Sequence, residues 1–247
     1  MSVPVSGPRR VSIFVTCMVD QLFPRIGLAM AEVLELAGFT VEFPEAQTCC
    51  GQPAFNSGYV TEAREVAEHF LKVFEASDWI VVPSGSCTAM IVHHFADLFP
   101  AGSPVYSRVE GLSSRVREFS SFLTEVAGVE DVGARWEGVV TFHDGCHGLR
   151  ELGIRSAPRR LLARVRGLEL RELDPPEECC GFGGTFAVKF AELSGAIARS
   201  KLEAIQRSGA QTVVSLDPSC LMQIQGVASR AGMKLRTAHL AEILASR

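Results

Sequence analysis

Apolar positions along this chain follow two alternating periods. "RVSIFVTC" (10–17) and "GVVTFHDGC" (138–146) are short, β-branched apolar runs that each end on a cysteine, and they read as strands. "WIVVPSGSC" (79–87) and "TVVSLDPSC" (212–220) repeat that design. Between these runs the period lengthens to that of a helix. "PRIGLAMAEVLELAG" places Ile26, Met30, Val33, Leu34 and Ala37 on one face, with Gly38 just past the helix end. "TEAREVAEHFLKVFEAS" gathers Val66, Phe70, Val73 and Phe74, with Thr61 as the expected N-cap. "SGAIARSKLEAIQRSG" starts at Ser194, 133 positions later, and turns Ile197, Leu202 and Ile205 inward. Strands alternating with helices predict an α/β fold with parallel sheets.

The pattern runs through the chain twice, and the cysteines mark the repeat. All eight fall into two sets of four: Cys17, Cys49, Cys50 and Cys87, then Cys146, Cys179, Cys180 and Cys220. Their offsets are 129, 130, 130 and 133, and no cysteine lies outside the pattern. Core packing alone would scatter some of them, so the chain reads as an internal duplication. The expectation is two tandem domains, 1–130 and 131–247, joined within "VAGVEDVGARWEG" (126–138). Each is a small parallel sheet flanked by helices. Cys17, Cys87, Cys146 and Cys220 fall at predicted strand C-terminal ends, the rim where such sheets bind ligands. The loops carrying the vicinal pairs fold toward that rim.

Composition narrows the chemistry. With 47% hydrophobic and 21% charged residues, the 247-residue chain is an ordinary globular protein. A net charge of −4 gives no basic footprint for nucleic acid, and no polybasic run suits an anionic membrane surface. No segment approaches 18 apolar residues, so no membrane span is expected. The N-terminus lacks the apolar stretch of a signal peptide, which makes the cytoplasm the expected compartment. Thiols stay reduced there, and cysteines read as metal ligands or redox groups before disulfides.

Four converging thiols suit more than one group. A structural zinc ion takes four thiolates but usually draws them from C-x₂₋₄-C knuckles, and neither half has a C-x-x-C. Adjacent side chains point apart, which suits the several corners of an iron–sulfur cluster better than one small ion. Gly51, Gly181, Gly183 and Gly184 let backbone N–H groups approach cluster sulfides and tune their potential. Inert buried cysteines, a vicinal disulfide switch and zinc in both halves remain the alternatives.

The layout C…CCG…C, twice over, with "CCGQPAFNSGY", "CHGLRELGI" and "CCGFGGTFAVK", resembles the cysteine-rich CCG-domain family of iron–sulfur oxidoreductases. The resemblance covers nearly the whole chain and lies closest to the branch serving L-lactate oxidation. The cysteine-rich component of heterodisulfide reductase is a more distant relative. So are the iron–sulfur components of glycolate oxidase and anaerobic glycerol-3-phosphate dehydrogenase. The resemblance implies one or two clusters of the 4Fe-4S type held by the eight cysteines. It also implies an oxidoreductase subunit that passes electrons while further lactate-utilization components complete the reaction to pyruvate. Ser84 and Asp217 stand where the heterodisulfide reductase branch has an additional cysteine in each half, a departure from its fused cluster. A thiol–disulfide reductase subunit and a zinc-stabilised interaction module are the competing functions.

"HDGCHGLRE" surrounds Cys146 with His143, Asp144, His147 and Arg150. These residues are candidates to tune a bound group, move protons or bind a carboxylate, with loop capping as the plainer role. His147 is the one assigned to cofactor binding. His93 and His94 read as helix residues, Lys189 as a solvated helix-start lysine and His239 as the start of the last helix. "GFGG" falls short of a dinucleotide fingerprint, and no P-loop is present, so no flavin or nicotinamide site is argued. No catalytic residue is assigned.

Overall fold

The computed structural model describes residues 10–247; the signal-peptide expectation drawn partly from residues 1–9 lies outside that range. The apolar runs become the central strands. β1 (Arg10–Ile13), β2 (Thr40–Glu42), β3 (Ile80–Val82) and β4 (Val116–Glu118) form one sheet in the order β2-β1-β3-β4. β5 (Arg135–His143), β6 (Arg166–Leu170), β7 (Thr212–Ser215) and β8 (Arg236–His239) form a second in the order β6-β5-β7-β8. Every pairing is parallel. β3 and β7 are buried along their whole length, as strands covered on both faces should be. In each sheet the strand order reverses beside the first strand, at β1/β3 and β5/β7. That reversal opens a crevice at the carboxyl ends.

Helix Pro24–Leu36 buries Ile26, Met30, Val33 and Leu34 as its period predicts. Gly38 at φ +87° lets the chain turn back, and the Phe39 N–H reaches the Leu34 carbonyl at 3.0 Å. Two helix starts differ from expectation. Helix Val60–Val73 begins one residue before Thr61, with Tyr59 as N-cap and no side-chain cap bond. Helix Ala191–Ser208 begins three residues before Ser194. Ser194 is buried, and its hydroxyl donates to the Gly181 carbonyl at 2.7 Å instead of capping. Lys189 closes the short helix Thr185–Lys189 and is exposed. His93 and His94 lie in the helical turn Met90–His94.

The two halves pack reciprocally, as a twofold relation requires. The last helix of the second half, Leu240–Leu244, lies on Pro24–Leu36 of the first, and its counterpart Phe119–Ser121 lies on Ser156–Leu162. One hydrophobic core therefore runs through both sheets, joining Val11, Ile13, Phe119 and Phe122 to Val140, Phe142 and Leu240. The connection 127–134 carries no regular element.

Glu118, at the end of β4, illustrates what that shared core costs. Its carboxylate caps helix Phe119–Ser121, accepting from the Ser120 and Ser121 amides and the Ser120 hydroxyl. Burial outweighs these bonds and pushes its pKa from 4.5 up to about 7. A carboxyl raised on folding stabilises the fold below its unfolded value and loses that contribution as pH rises through the folded one. Glu118 should therefore contribute a fall of about 3 kcal/mol between pH 4.5 and 8, against which the buried histidines His143 and His239, whose pKa values burial lowers, work in the opposite direction. Denaturant titrations should show it as the difference between the parent and Glu118→Gln, whose stability should rise relative to the parent as pH rises through about 7.

Candidate metal centre

Each cysteine is carried to the sheet rim by the turn after a strand. Cys17 and Cys146 open helices Cys17–Leu22 and Cys146–Arg150, four and three residues past the ends of β1 and β5. Cys87 and Cys220 lie in the first turn of helices Gly85–Ala89 and Pro218–Arg230, after β3 and β7. The strand-end placement thus becomes a helix-start placement one turn on. The vicinal pairs sit in loops entering helices Gln52–Asn56 and Thr185–Lys189.

The thiols of each half meet. Cys17 and Cys49 sulfurs are 3.7 Å apart, and Cys50 lies close enough to interact with both Cys49 and Cys87. In the second half Cys146 contacts Cys179, Cys179 contacts Cys180, and Cys180 lies 3.0 Å from Cys220. Both sets are thus unbroken chains of sulfur contacts in the same order. All eight thiols are free.

Within each set one sulfur is singled out. Hydrogen bonds from Cys17 and Cys50 hold Cys49 far below the usual thiol range, helped by the Gly51 N–H at 3.4 Å. Cys146 and Cys180 do the same for Cys179, with the Gly181 N–H at 3.3 Å. The donors shift the other way: contact with Cys49 and burial push Cys17 and Cys50 up, and contact with Cys179 and burial push Cys146 and Cys180 up. Thiolate is the form that binds metals, and the geometry favours it at the second cysteine of each set, whose sulfur receives the glycine N–H. Soft sulfur donors in fours, with backbone N–H groups aimed at sulfur, fit a thiolate-bound metal or iron–sulfur cluster.

The glycines divide into two kinds. Gly51 (φ +79°) and Gly181 (φ +84°) turn the backbone so that their amides reach sulfur. Gly183 and Gly184 instead line the cleft between the halves. That cleft encloses about 260 Å³, and every cysteine except Cys49 opens onto it. Thr16, just before Cys17, holds φ +68°, a strained value for a β-branched residue.

Contacts between the halves surround the same cleft. Asp217 Oδ1 accepts from the Ser84 hydroxyl at 2.8 Å, the Ser86 amide at 3.1 Å and the Ser86 hydroxyl at 3.0 Å. The two positions that lack the additional cysteines are therefore bonded to each other. Gly85 packs on Gly148, where a Cβ would lie 3.0 Å from the Gly148 Cα. His239 caps the last helix through Nδ1, and its Nε2 lies 2.8 Å from the Pro83 carbonyl across the halves.

The polar residues around Cys146 separate by role. Asp144 is buried and held by both Arg159 guanidinium nitrogens at 2.9 and 2.8 Å, a structural pair. His147 lines the cleft, with Nε2 3.7 Å from Glu151. Arg150 is exposed. His94 bonds Glu151 at 3.1 Å, another link between the halves. His143 is fully buried, and neither ring nitrogen has a partner. The pattern of apolar positions missed Lys201, which is fully buried on the inward face of Ala191–Ser208. The signal was present: a lysine beside Leu202, three residues after Ala198, breaks an otherwise apolar stripe.

Comparison with known proteins agrees with this duplicated arrangement. The cysteine-rich domain model CCG matches twice, over residues 11–92 and 140–225. Lactate utilization protein A of Macrococcus caseolyticus is 46% identical over 95% of this chain and 96% of its own length. Lactate utilization protein A 1 of Bacillus mycoides is 43% identical with the same coverage. A glutamate racemase from Bacillus anthracis aligns with 97% of this chain and 79% of its own at 12% identity, with a TM-score of 0.37, too loose to carry an argument. Among the described residues no helix is long and apolar enough to cross a membrane. Two matched copies and close relatives along its full matched length show that the chain belongs to the cysteine-rich CCG-domain family, alongside lactate utilization protein A.

Proposed function

We propose that this chain is an iron–sulfur electron-transfer component of an L-lactate-oxidising assembly, working in the cytoplasm with other lactate-utilization components. The meeting of four thiols in each half, with seven of the eight opening onto one cleft, is the observation that carries the reading. Cys17, Cys49, Cys50 and Cys87 would hold one cluster, and Cys146, Cys179, Cys180 and Cys220 a second, each of the 4Fe-4S type. Bound there, such a group supplies one-electron redox chemistry. The protein's part is to prime one thiolate per set, aim the Gly51 and Gly181 amides at sulfur, and keep the cleft open through Gly183 and Gly184. His147, on the cleft wall beside Cys146, is assigned to the same environment. The word lactate comes from the relatives' names, and the sulfur chemistry from these residues.

Protein purified without oxygen should carry iron and acid-labile sulfide in equal amounts, with a cluster EPR signal on reduction. Zinc without sulfide in such protein would leave the interaction-module reading standing instead. Thiols that titrate as a reversible dithiol, with no iron, would leave the thiol–disulfide reading.

A further inference from the structure

The two thiol sets are alike in sequence but rest on different floors. Each vicinal pair packs on its following helix in the same register. A Cβ on Gly51 would meet Ala63 and Val66, and one on Gly181 would meet Ser194 and Ile197. That register makes Phe70 and Lys201 counterparts. Phe14 and His143 are counterparts too, each three residues before the first cysteine of its set. In the first half Phe14 and Phe70 meet edge to face, with ring centroids 5.0 Å apart, and Phe74 adds a second edge contact. In the second half a buried imidazole and a buried amine replace this aromatic pair.

Both replacements lie near the sulfurs, the imidazole by distance and the amine by its electrostatic interaction with Cys180 and Cys146. A His143 ring nitrogen lies within 4.8 Å of the Cys180 and Cys220 sulfurs, and no hydrogen bond occupies either nitrogen. The Lys201 amine has one hydrogen bond, to the Pro176 carbonyl at 3.5 Å. Burial pushes its pKa down, and the attraction of Glu178, Asp144, Cys180 and Cys146 offsets only part of that. Asp144 is neutralised by Arg159, and Glu178 balances part of the Lys201 charge. A His143 ring nitrogen stands beside the sulfurs whatever that balance. An unpartnered buried imidazole is uncommon and calls for a partner or a role.

We infer that His143 and Lys201 are positioning residues that hold the second thiol centre at a higher reduction potential than the first, so that electrons come to rest in the second half. The inference rests on the iron–sulfur reading. Reduction adds negative charge to a thiolate-bound centre. An N–H donor and a buried ammonium stabilise that charge, whereas a floor of phenylalanine rings supplies neither. One electron leaves the reduced first centre and enters the oxidised second; no bond forms or breaks.

An EPR-monitored redox titration of the cluster-loaded full chain tests this, after iron and sulfide have been counted for each variant. Two one-electron steps at distinct potentials are expected. The higher step should vanish in Cys180→Ser and move down in Lys201→Met and His143→Phe, with the lower step unmoved. Lys201→Arg should stay near the parent. Phe14→His, which leaves the second half untouched, should raise the lower step. Clusters whose midpoints ignore all these changes overturn the inference and leave the iron–sulfur function standing. So does a higher step that is lost in Cys50→Ser. Protein that assembles no iron and sulfide overturns both.

Discussion

Cys180→Ser should empty the second thiol set and abolish lactate-dependent electron transfer in the reconstituted assembly. Cys180 is 3% exposed and is the link that touches both Cys179 and Cys220. Serine offers a harder, less acidic donor with a shorter reach, poorly suited to an iron–sulfur centre. Outer-shell changes around a metal usually cost 10–100-fold in affinity or activity, so a lost ligand should cost at least about 100-fold. Iron and sulfide content should fall to about half, because the first set is untouched. Lys72→Ala, an exposed change on helix Val60–Val73, should leave both quantities alone. The parent chain by itself should oxidise little or no lactate and gain that activity with its partner components. Rapid turnover by the isolated chain would show that it holds its own substrate site and is more than a carrier.

Gly181→Ala should be the most destabilising single-methyl change in either CCG loop. Its φ of +84° already disfavours a side chain, and a Cβ there would lie 2.5 Å from the Ser194 carbonyl oxygen. That neighbour is helix backbone, so relief requires the loop to lift off Ala191–Ser208 and take the Cys179 and Cys180 thiols with it. The positive φ costs about 1–2 kcal/mol and the displaced packing about 1–3 kcal/mol more. At 2–4 °C per kcal/mol for a chain of this size, the melting temperature should drop by about 4–20 °C. Gly51→Ala is the control. It shares the positive φ, but its nearest neighbour is a Val66 methyl at 3.4 Å, an ordinary contact. It should lose only about 1–2 kcal/mol. Equal losses at the two glycines would show that backbone conformation alone, without the helix contact, sets the cost.

Local pattern carried much of this architecture. Short β-branched runs ending near cysteines gave the central strands, and the constant offset between cysteines gave two matching sheets. Pro24–Leu36 followed from its apolar face and Gly38. The misplaced helix starts have a physical origin. Thr61 and Ser194 are good capping residues by type, but Ser194 is recruited by the Gly181 carbonyl, a partner thirteen positions away. Other features depend on contacts that no local window contains. Val11 shares a core with Leu240, and His94 reaches Glu151. Lys201 fell outside the expectation because an inward lysine on an amphipathic helix looks like the edge of its polar face. Its burial becomes meaningful only beside His143 and the second thiol chain. Ser84 and Asp217 were visible as departures from a motif, but their bond to each other was not.

That bond bears on how a duplicated chain ages. Ser84 and Asp217 each stand three residues before the last cysteine of their set, and they meet where the two copies face one another. A direct descendant of a doubled gene would begin with the same residue on both sides. Two aspartates there would bring like charges together in a buried place, and two serines would leave the Ser86 amide without the carboxylate oxygen that now receives it. Neither symmetric chain reproduces the three bonds that Asp217 now accepts. A donor on one side and an acceptor on the other does, and once that choice is made the copies are no longer interchangeable. A chain built from the first half repeated, or the second repeated, would lose this contact whatever its sulfur centres did.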